Sequence, residues 1–197
     1  KNKEVFTMSK IAVFFAEGYE EIEALTVVDL CRRAGIDATM VSVADTRTVR
    51  GSHGINVEMD ASLKDISFES LDMLVFPGGM PGTKNLEACG VLMEALDQFY
   101  RSGKHVAAIC AAPSIFGHRG IVKGRKACCY PGFESHMEGA ETTENTVEID
   151  GNVITSRGMG TAIDFSLAII RVLSGQEKAE SLADGIVYHR KGSDSRQ

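Results

Sequence analysis

Short apolar runs alternate with stretches of helical spacing along most of this chain. Lys10–Ala16 (KIAVFFA) is an apolar run closed by Glu17-Gly18, the pattern of a buried strand. Glu20–Ala34 then carries apolar residues at Ile22, Leu25, Val28 and Cys31. It has acids in its first turn, Arg32 and Arg33 in its last and Gly35 as a stop, which together predict a helix. Asp37–Val43 is apolar and β-branched and predicts a second strand. Thr48–Met59, with Gly51 and Gly54 between extended pieces, predicts an irregular hairpin. Met73–Phe76 reads as a third buried strand, ended by Pro77-Gly78-Gly79. The pattern continues with a helix over Gly90–Ser102, a strand over His105–Ile109 and a helix over Ala111–His118. Arg125–Cys129 is expected to be extended, and Glu144–Thr155 to be strand material about a turn at Asp150-Gly151-Asn152. Thr161–Leu173 and Gln176–Ala183 predict two closing helices.

Apolar strands separated by helices require crossover connections, so the sheet should be mostly parallel and covered on both faces. We read one doubly wound α/β domain over residues 8–188, with polar tails at 1–7 and 189–197; Met8 is the expected native start. In such sheets ligands bind outside the carboxyl ends of the strands. Three features fall there: the Glu17–Glu23 region, Pro77-Gly78-Gly79 and Cys110.

Composition narrows the function classes. A formal charge of -6 without a basic patch argues against nucleic-acid binding. No apolar run approaches the ~20 residues that span a bilayer, so no membrane partner is expected. Lys1–Thr7 lacks the apolar core of a signal peptide. The five cysteines (Cys31, Cys89, Cys110, Cys128 and Cys129) are an odd count in a chain that is not small, which fits a reducing cytoplasm better than a disulfide framework. No C-x-x-C or H-x-x-x-H spacing occurs, so no metal site is expected. Cys128 and Cys129 are adjacent and in a strand would face opposite sides, one buried and one less so.

Cys110 is the candidate for chemistry. The run His105-Val-Ala-Ala-Ile-Cys110-Ala-Ala-Pro113 feeds a strand straight into a helix, as in a nucleophile elbow, though without that motif's glycines. A thiol near a helix N-terminus meets positive potential and unpaired N–H groups, which favour thiolate and could hold an oxyanion. Gly78 and Gly79 could bring another backbone N–H close. A thiolate needs a proton partner, and Glu20, Glu21 and Glu23 lie at the same sheet edge. Their spacing does not select one of them, since solvated first-turn acids are common. An acidic Ala16-Glu-Gly-Tyr turn, with Glu20-Glu21 behind it, is unsuited to a phosphate and argues against a flavin or nucleotide module.

Six segments together resemble the ThiJ/PfpI superfamily, in its parkinsonism-associated deglycase branch. They are Ala16-Glu-Gly-Tyr-Glu-Glu-Ile-Glu23, Val28-Asp-Leu-Cys-Arg-Arg-Ala-Gly35, Asp60-Ala-Ser-Leu63, Phe76-Pro-Gly-Gly79, Ala107-Ala-Ile-Cys-Ala-Ala-Pro113 and Thr155-Ser-Arg-Gly-Met-Gly-Thr161. The resemblance implies a flavodoxin-like sandwich and a homodimer. It makes Cys110 the nucleophile and Glu23 its protonated carboxylic partner, with backbone groups of Gly79 and Ala111 at the oxyanion site and Arg33 near an anion-accepting pocket.

Two positions depart from the pattern. Protease-like members carry histidine directly after the cysteine, where this chain has Ala111, which argues against a peptidase. Animal members of the deglycase branch bring a histidine from a later loop, and the matching residue here is Tyr130. A phenol titrating near ~10 is a poor proton shuttle at neutral pH. His53, His118 and His136 are possible substitutes that nothing in the sequence places. The implied activity is cofactor-free conversion of methylglyoxal, or of its early adducts on thiols and amines, to a hydroxy acid, with slow turnover. The competing reading is a redox-sensing, stress-protective chaperone acting through oxidation of Cys110.

Overall fold

A computed structural model describes residues 8–188; the two predicted tails, 1–7 and 189–197, lie outside the described residues. In chain order the strands and helices begin with β1 (Lys10–Phe15), α1 (Glu21–Arg33), β2 (Asp37–Ser42), β3 (Thr48–Arg50) and β4 (Asn56–Glu58). They continue with β5 (Ala61–Ser62), β6 (Met73–Phe76), α2 (Gly82–Glu87), α3 (Gly90–Arg101), β7 (His105–Ile109) and α4 (Pro113–His118). The last are β8 (Lys126–Ala127), β9 (Glu141–Thr142), β10 (Val147–Asp150), β11 (Val153–Ser156), α5 (Ala162–Ser174) and α6 (Gln176–Gly185).

The central sheet has seven strands in the order β10-β11-β7-β6-β1-β2-β5. Every pairing in it is parallel except β10 with β11, so the expected flavodoxin-like α/β sandwich is the observed fold. Parallel strands buried on both faces must be apolar on both. β6 is buried at all four positions and β1 at the last five of six. The alternate side chains of these strands feed two cores. Ile11, Val13, Met73, Val75, Ala107 and Ile109 pack with α1 and α5. Ala12, Phe14, Leu74, Phe76, Val106 and Ala108 pack with α3 and α4. The predicted hairpin is β3–β4, antiparallel and outside the main sheet.

Three expectations are corrected. The apolar stripe of α1 does not include Ile22, which is exposed, while Glu21 and Glu23 on either side of it are buried. The sequence stripe assumed one covered face, but the first turn of α1 is covered from two directions, by the β6 loop and by the β3–β4 hairpin. The helix after Cys110 starts at Pro113 rather than Ala111, with proline in the first-turn position that suits its missing N–H. Cys128 and Cys129 are both buried: Cys128 Sγ contacts Thr155 of β11, and Cys129 joins the core under α3 and α4.

Candidate active site

β1, β6, β7 and β11 lie near one another in the sheet, and the loops leaving their carboxyl ends converge. Cys110 is the first residue after β7. Its φ is +67°, in the left-handed region that costs a residue with a Cβ about 1–2 kcal/mol. Hydrogen bonds on both sides hold it there: its N–H donates to Ser156 O at 3.0 Å, and its carbonyl accepts from Tyr130 N–H at 2.8 Å. The sharp turn expected without glycines is therefore present, carried by the cysteine itself. Cys110 is partly accessible, whereas Cys31, Cys128 and Cys129 are buried.

Glu23 is 1% exposed. Its Oε2 accepts a 2.9 Å hydrogen bond from Gly78 N–H. Its Oε1 is buried with no partner of full hydrogen-bond geometry. The carboxyl faces the Cys110 thiol, and each perturbs the other. Burial pushes the Glu23 carboxyl up to about 7, opposed by the Cys110 and Gly78 hydrogen bonds and reinforced by the charge of Glu20. Burial, then the negative charge of Glu23, pushes the Cys110 thiol up, while the backbone N–H groups of Ala111 and Gly79 pull it down. With the carboxyl titrating at about 7 and the thiol pushed above its ordinary value, the pair is uncharged below that point and carries one negative charge, on Glu23, above it.

The expected lowering of the thiol is not found: burial and Glu23 outweigh the nearby N–H groups and leave Cys110 above its ordinary value. α4 has six residues and begins three positions after Cys110, so its dipole is not what stabilises the sulfur. The positive partners are two discrete N–H groups, from Gly79 and Ala111, and the proton that Glu23 can carry.

Glycine is required where the β6 loop meets this pair. A Cβ on Gly78 would lie 2.6 Å from Cys110 Cβ and 2.7 Å from Glu23 Oε2. Gly79 has φ +89°, and a Cβ there would lie 2.4 Å from Glu20 N. Only a chain without side chains can pass between α1 and Cys110 at this height.

The remaining expected residues divide. Tyr130 is tied to Cys110 through its backbone N–H, but its half-exposed ring lies over Gly158 and edge-on to Phe133. Arg33 sits at the opposite end of α1 from Glu23, about 15 Å along the helix axis. There it pairs with Asp29 at 3.0 Å and lines an open groove of about 350 Å³ with Lys178. One chain by itself does not bring Arg33 to Cys110. Of the three histidines considered, His53 borders the site, while His118 and His136 lie together beyond the far end of α4.

Sequence reasoning missed the second buried acid. Glu21 accepts from His53 N–H at 2.7 Å and pairs with His53 Nδ1 at 2.9 Å. Burial pushes Glu21 up, but the His53 contacts outweigh it and leave its carboxyl below the ordinary value. This pair pins the β3–β4 hairpin to the first turn of α1, next to Glu23. The signal available was His53 in a Gly51-Ser-His-Gly54 turn opposite a run of acids.

Comparison with known proteins follows the same lines. The DJ-1/PfpI family model matches residues 9–172. Protein DJ-1 homolog B of Arabidopsis thaliana is 37% identical over 187 residues, 94% of this chain and 43% of the relative; the chain thus spans less than half the length of that protein. Glutathione-independent glyoxalase DJR-1.2 of Caenorhabditis elegans is 36% identical over 167 residues, 84% of this chain and 89% of the relative. The solved structure of oxidized Toxoplasma gondii DJ-1 superimposes with a TM-score of 0.88 at 35% identity, covering 92% of this chain and 100% of that one. The family match over most of the described residues, with relatives of this similarity in the DJ-1 branch, shows that the chain belongs to the DJ-1/PfpI family.

Proposed function

We propose that the chain converts small α-oxoaldehydes such as methylglyoxal, or their early adducts on thiols and amines, to hydroxy acids, using Cys110 and Glu23 and no cofactor. The observation that supports this most is the buried Glu23 carboxyl, raised to about 7 and facing the Cys110 thiol. A general acid and base works best when it titrates near the working pH. The glyoxalase named among the relatives supports the same substrate class.

The steps follow from the geometry. Glu23 takes the thiol proton as the sulfur attacks the aldehyde carbon, and the developing oxyanion is received by the N–H groups of Gly79 and Ala111. Return of that proton to the oxygen gives a neutral hemithioacetal. The Glu23 carboxylate then removes the proton on the former aldehyde carbon to give an enediolate and returns it to the adjacent carbon, while the hydroxyl proton passes from the first oxygen to the second, leaving a hydroxyacyl thioester on Cys110. Water cleaves the thioester, restores the thiol and releases the hydroxy acid. Tyr130 stands where a histidine would serve as proton shuttle, and the loop supplies no imidazole there, so turnover is slow. The test is methylglyoxal consumption, corrected for simple thiol adducts. Cys110→Ser and Glu23→Gln should both lose it, and mutants as fast as the wild type would sink the reading.

A second reading, oxidation sensing, draws on the donors around the sulfur. Two peroxide molecules would each deliver one oxygen to Cys110 and leave as water, giving a sulfinate held by Gly79, Ala111 and a protonated Glu23. Intact-mass and peptide analysis after mild peroxide tests it; oxidation of Cys89 ahead of Cys110 would count against it. Both readings place the protein in the cytoplasm as a homodimer, in which a second copy would cover the exposed Ile22 of α1. Among the described residues no helix is long and apolar enough to cross a membrane.

A further inference from the structure

Two imidazoles meet beyond the far end of α4. His118 Nε2 and His136 Nδ1 are 3.0 Å apart, and the other nitrogen of His118 is 2.6 Å from Glu87 Oε1 at the end of α2. The three groups come from segments 31 and 18 residues apart in sequence, so folding alone assembles them. A carboxylate only accepts, so His118 Nδ1 holds a proton toward Glu87 and Nε2 presents its lone pair toward His136. The supporting backbone is close-packed. A Cβ on Gly117 would lie 1.8 Å from His136 O, so α4 and the turn Glu134–His136 touch directly. Phe133 packs against the His136 ring at 5.6 Å. Both histidines are exposed and Glu87 is partly covered.

We propose that this cluster binds a late first-row divalent cation of the Zn²⁺ type. His118 Nε2 and His136 Nδ1 are the ligands, and Glu87 orients His118 from behind. Two nitrogens each ~2.0–2.1 Å from a tetrahedral zinc ion lie roughly 3.3 Å apart, a few tenths of an ångström from the separation already present. The ion takes the place of the proton on His136 Nδ1, which is given up to solvent while Nε2 of the same ring takes one from solvent, so that both rings bind as neutral imidazoles. Water completes the coordination. The Glu87–His118 contact is the carboxylate–histidine arrangement that fixes the tautomer of a metal ligand and raises its basicity. Glu20, Glu21 and His53 form a different kind of group, with three ligand atoms within reach of one another, but its buried carboxylate is already occupied by His53. A bound ion would tie α2 and α4 to the segment that carries Tyr130.

The test is Zn²⁺ binding to the full chain in a Cys110→Ser background, which removes a competing thiol, read by competition with a chromogenic chelator. One ion per chain is expected in the micromolar range. His118→Gln and His136→Gln should each weaken it at least tenfold, and Glu87→Gln by about tenfold. His53→Gln should leave it unchanged. Zn²⁺ should raise the melting temperature of the parent and not of the two histidine variants. Binding that survives in His118→Gln and His136→Gln, loss of binding in His53→Gln, or no micromolar binding by the parent would overturn the assignment.

Discussion

Gly78 N–H donates a 2.9 Å hydrogen bond to Glu23 Oε2, and that bond, made where no side chain could fit, holds the carboxyl against Cys110. The β6 loop therefore does two things at once: it orients the acid through Gly78 and supplies an N–H to the sulfur through Gly79.

Gly78→Ala should damage both. The added methyl overlaps Cys110 Cβ, Glu23 Oε2 and the Ile109 carbonyl, none of which is a flexible side-chain end on an open surface. Overpacking of this kind costs about 1–3 kcal/mol, and chemical denaturation should show a loss in that range together with loss of methylglyoxal turnover. Gly90→Ala is the control. A Cβ there meets nothing within 4 Å, and neither stability nor rate should fall.

Glu23→Gln should make the protein more stable at neutral pH. The folded carboxyl titrates at about 7 against an ordinary value of 4.5, so between these values the folded state holds a proton that the unfolded chain has released. Stability therefore declines as pH rises through that window, and a neutral amide escapes the decline. The gain at pH 7.5 should approach but not exceed about 3 kcal/mol and should vanish near pH 4. Denaturation across that pH range checks it. A constant difference at all pH values would mean that the carboxyl is not the group that titrates.

Glu21→Gln should act in the opposite sense. Its carboxyl is held below the ordinary value of 4.5 by His53, so the pair contributes stability that is present above that value and lost as pH falls through the folded one. The variant should melt a few degrees lower at pH 7, and the gap should close in acid. The β3–β4 hairpin should lose amide protection before the central sheet does.

Tyr130→His should raise turnover on the order of tenfold or more, since it places a group that titrates near neutrality on the loop bonded to the Cys110 backbone. Tyr130→Phe should change the rate little, because the phenol is assigned no proton transfer. A large loss in the phenylalanine variant would give that hydroxyl a role.

Much of this arrangement was legible in the sequence, and the parts that were not have physical reasons. Met73–Phe76 and His105–Ile109 were read to the residue because strands buried on both faces are unbroken apolar runs with sharp ends. α2 was missed because Gly-Thr-Lys-Asn-Leu-Glu shows one apolar position and no helical period. The strand-to-helix junction pointed to Cys110 only weakly, for want of the elbow glycines, and the family segments strengthened it. Glu23 could not be selected by spacing. Positions 21 and 23 point about 200° apart around a helix, so a one-sided stripe cannot bury both. They are both buried because the β6 loop covers one and the β3–β4 hairpin the other, which is a property of long-range packing. The meeting of Glu87, His118 and His136 could not be read for the same reason: no local spacing connects them.

The most direct test of the Cys110–Glu23 pairing is the titration of the Glu23 side-chain carboxyl, followed by carbon NMR in the wild type and in Cys110→Ala. The pairing predicts a midpoint near 7 in the wild type, and a higher one once the thiol that lowers it is removed. A carboxyl that titrates near 4.5, unmoved by Cys110→Ala, would contradict it.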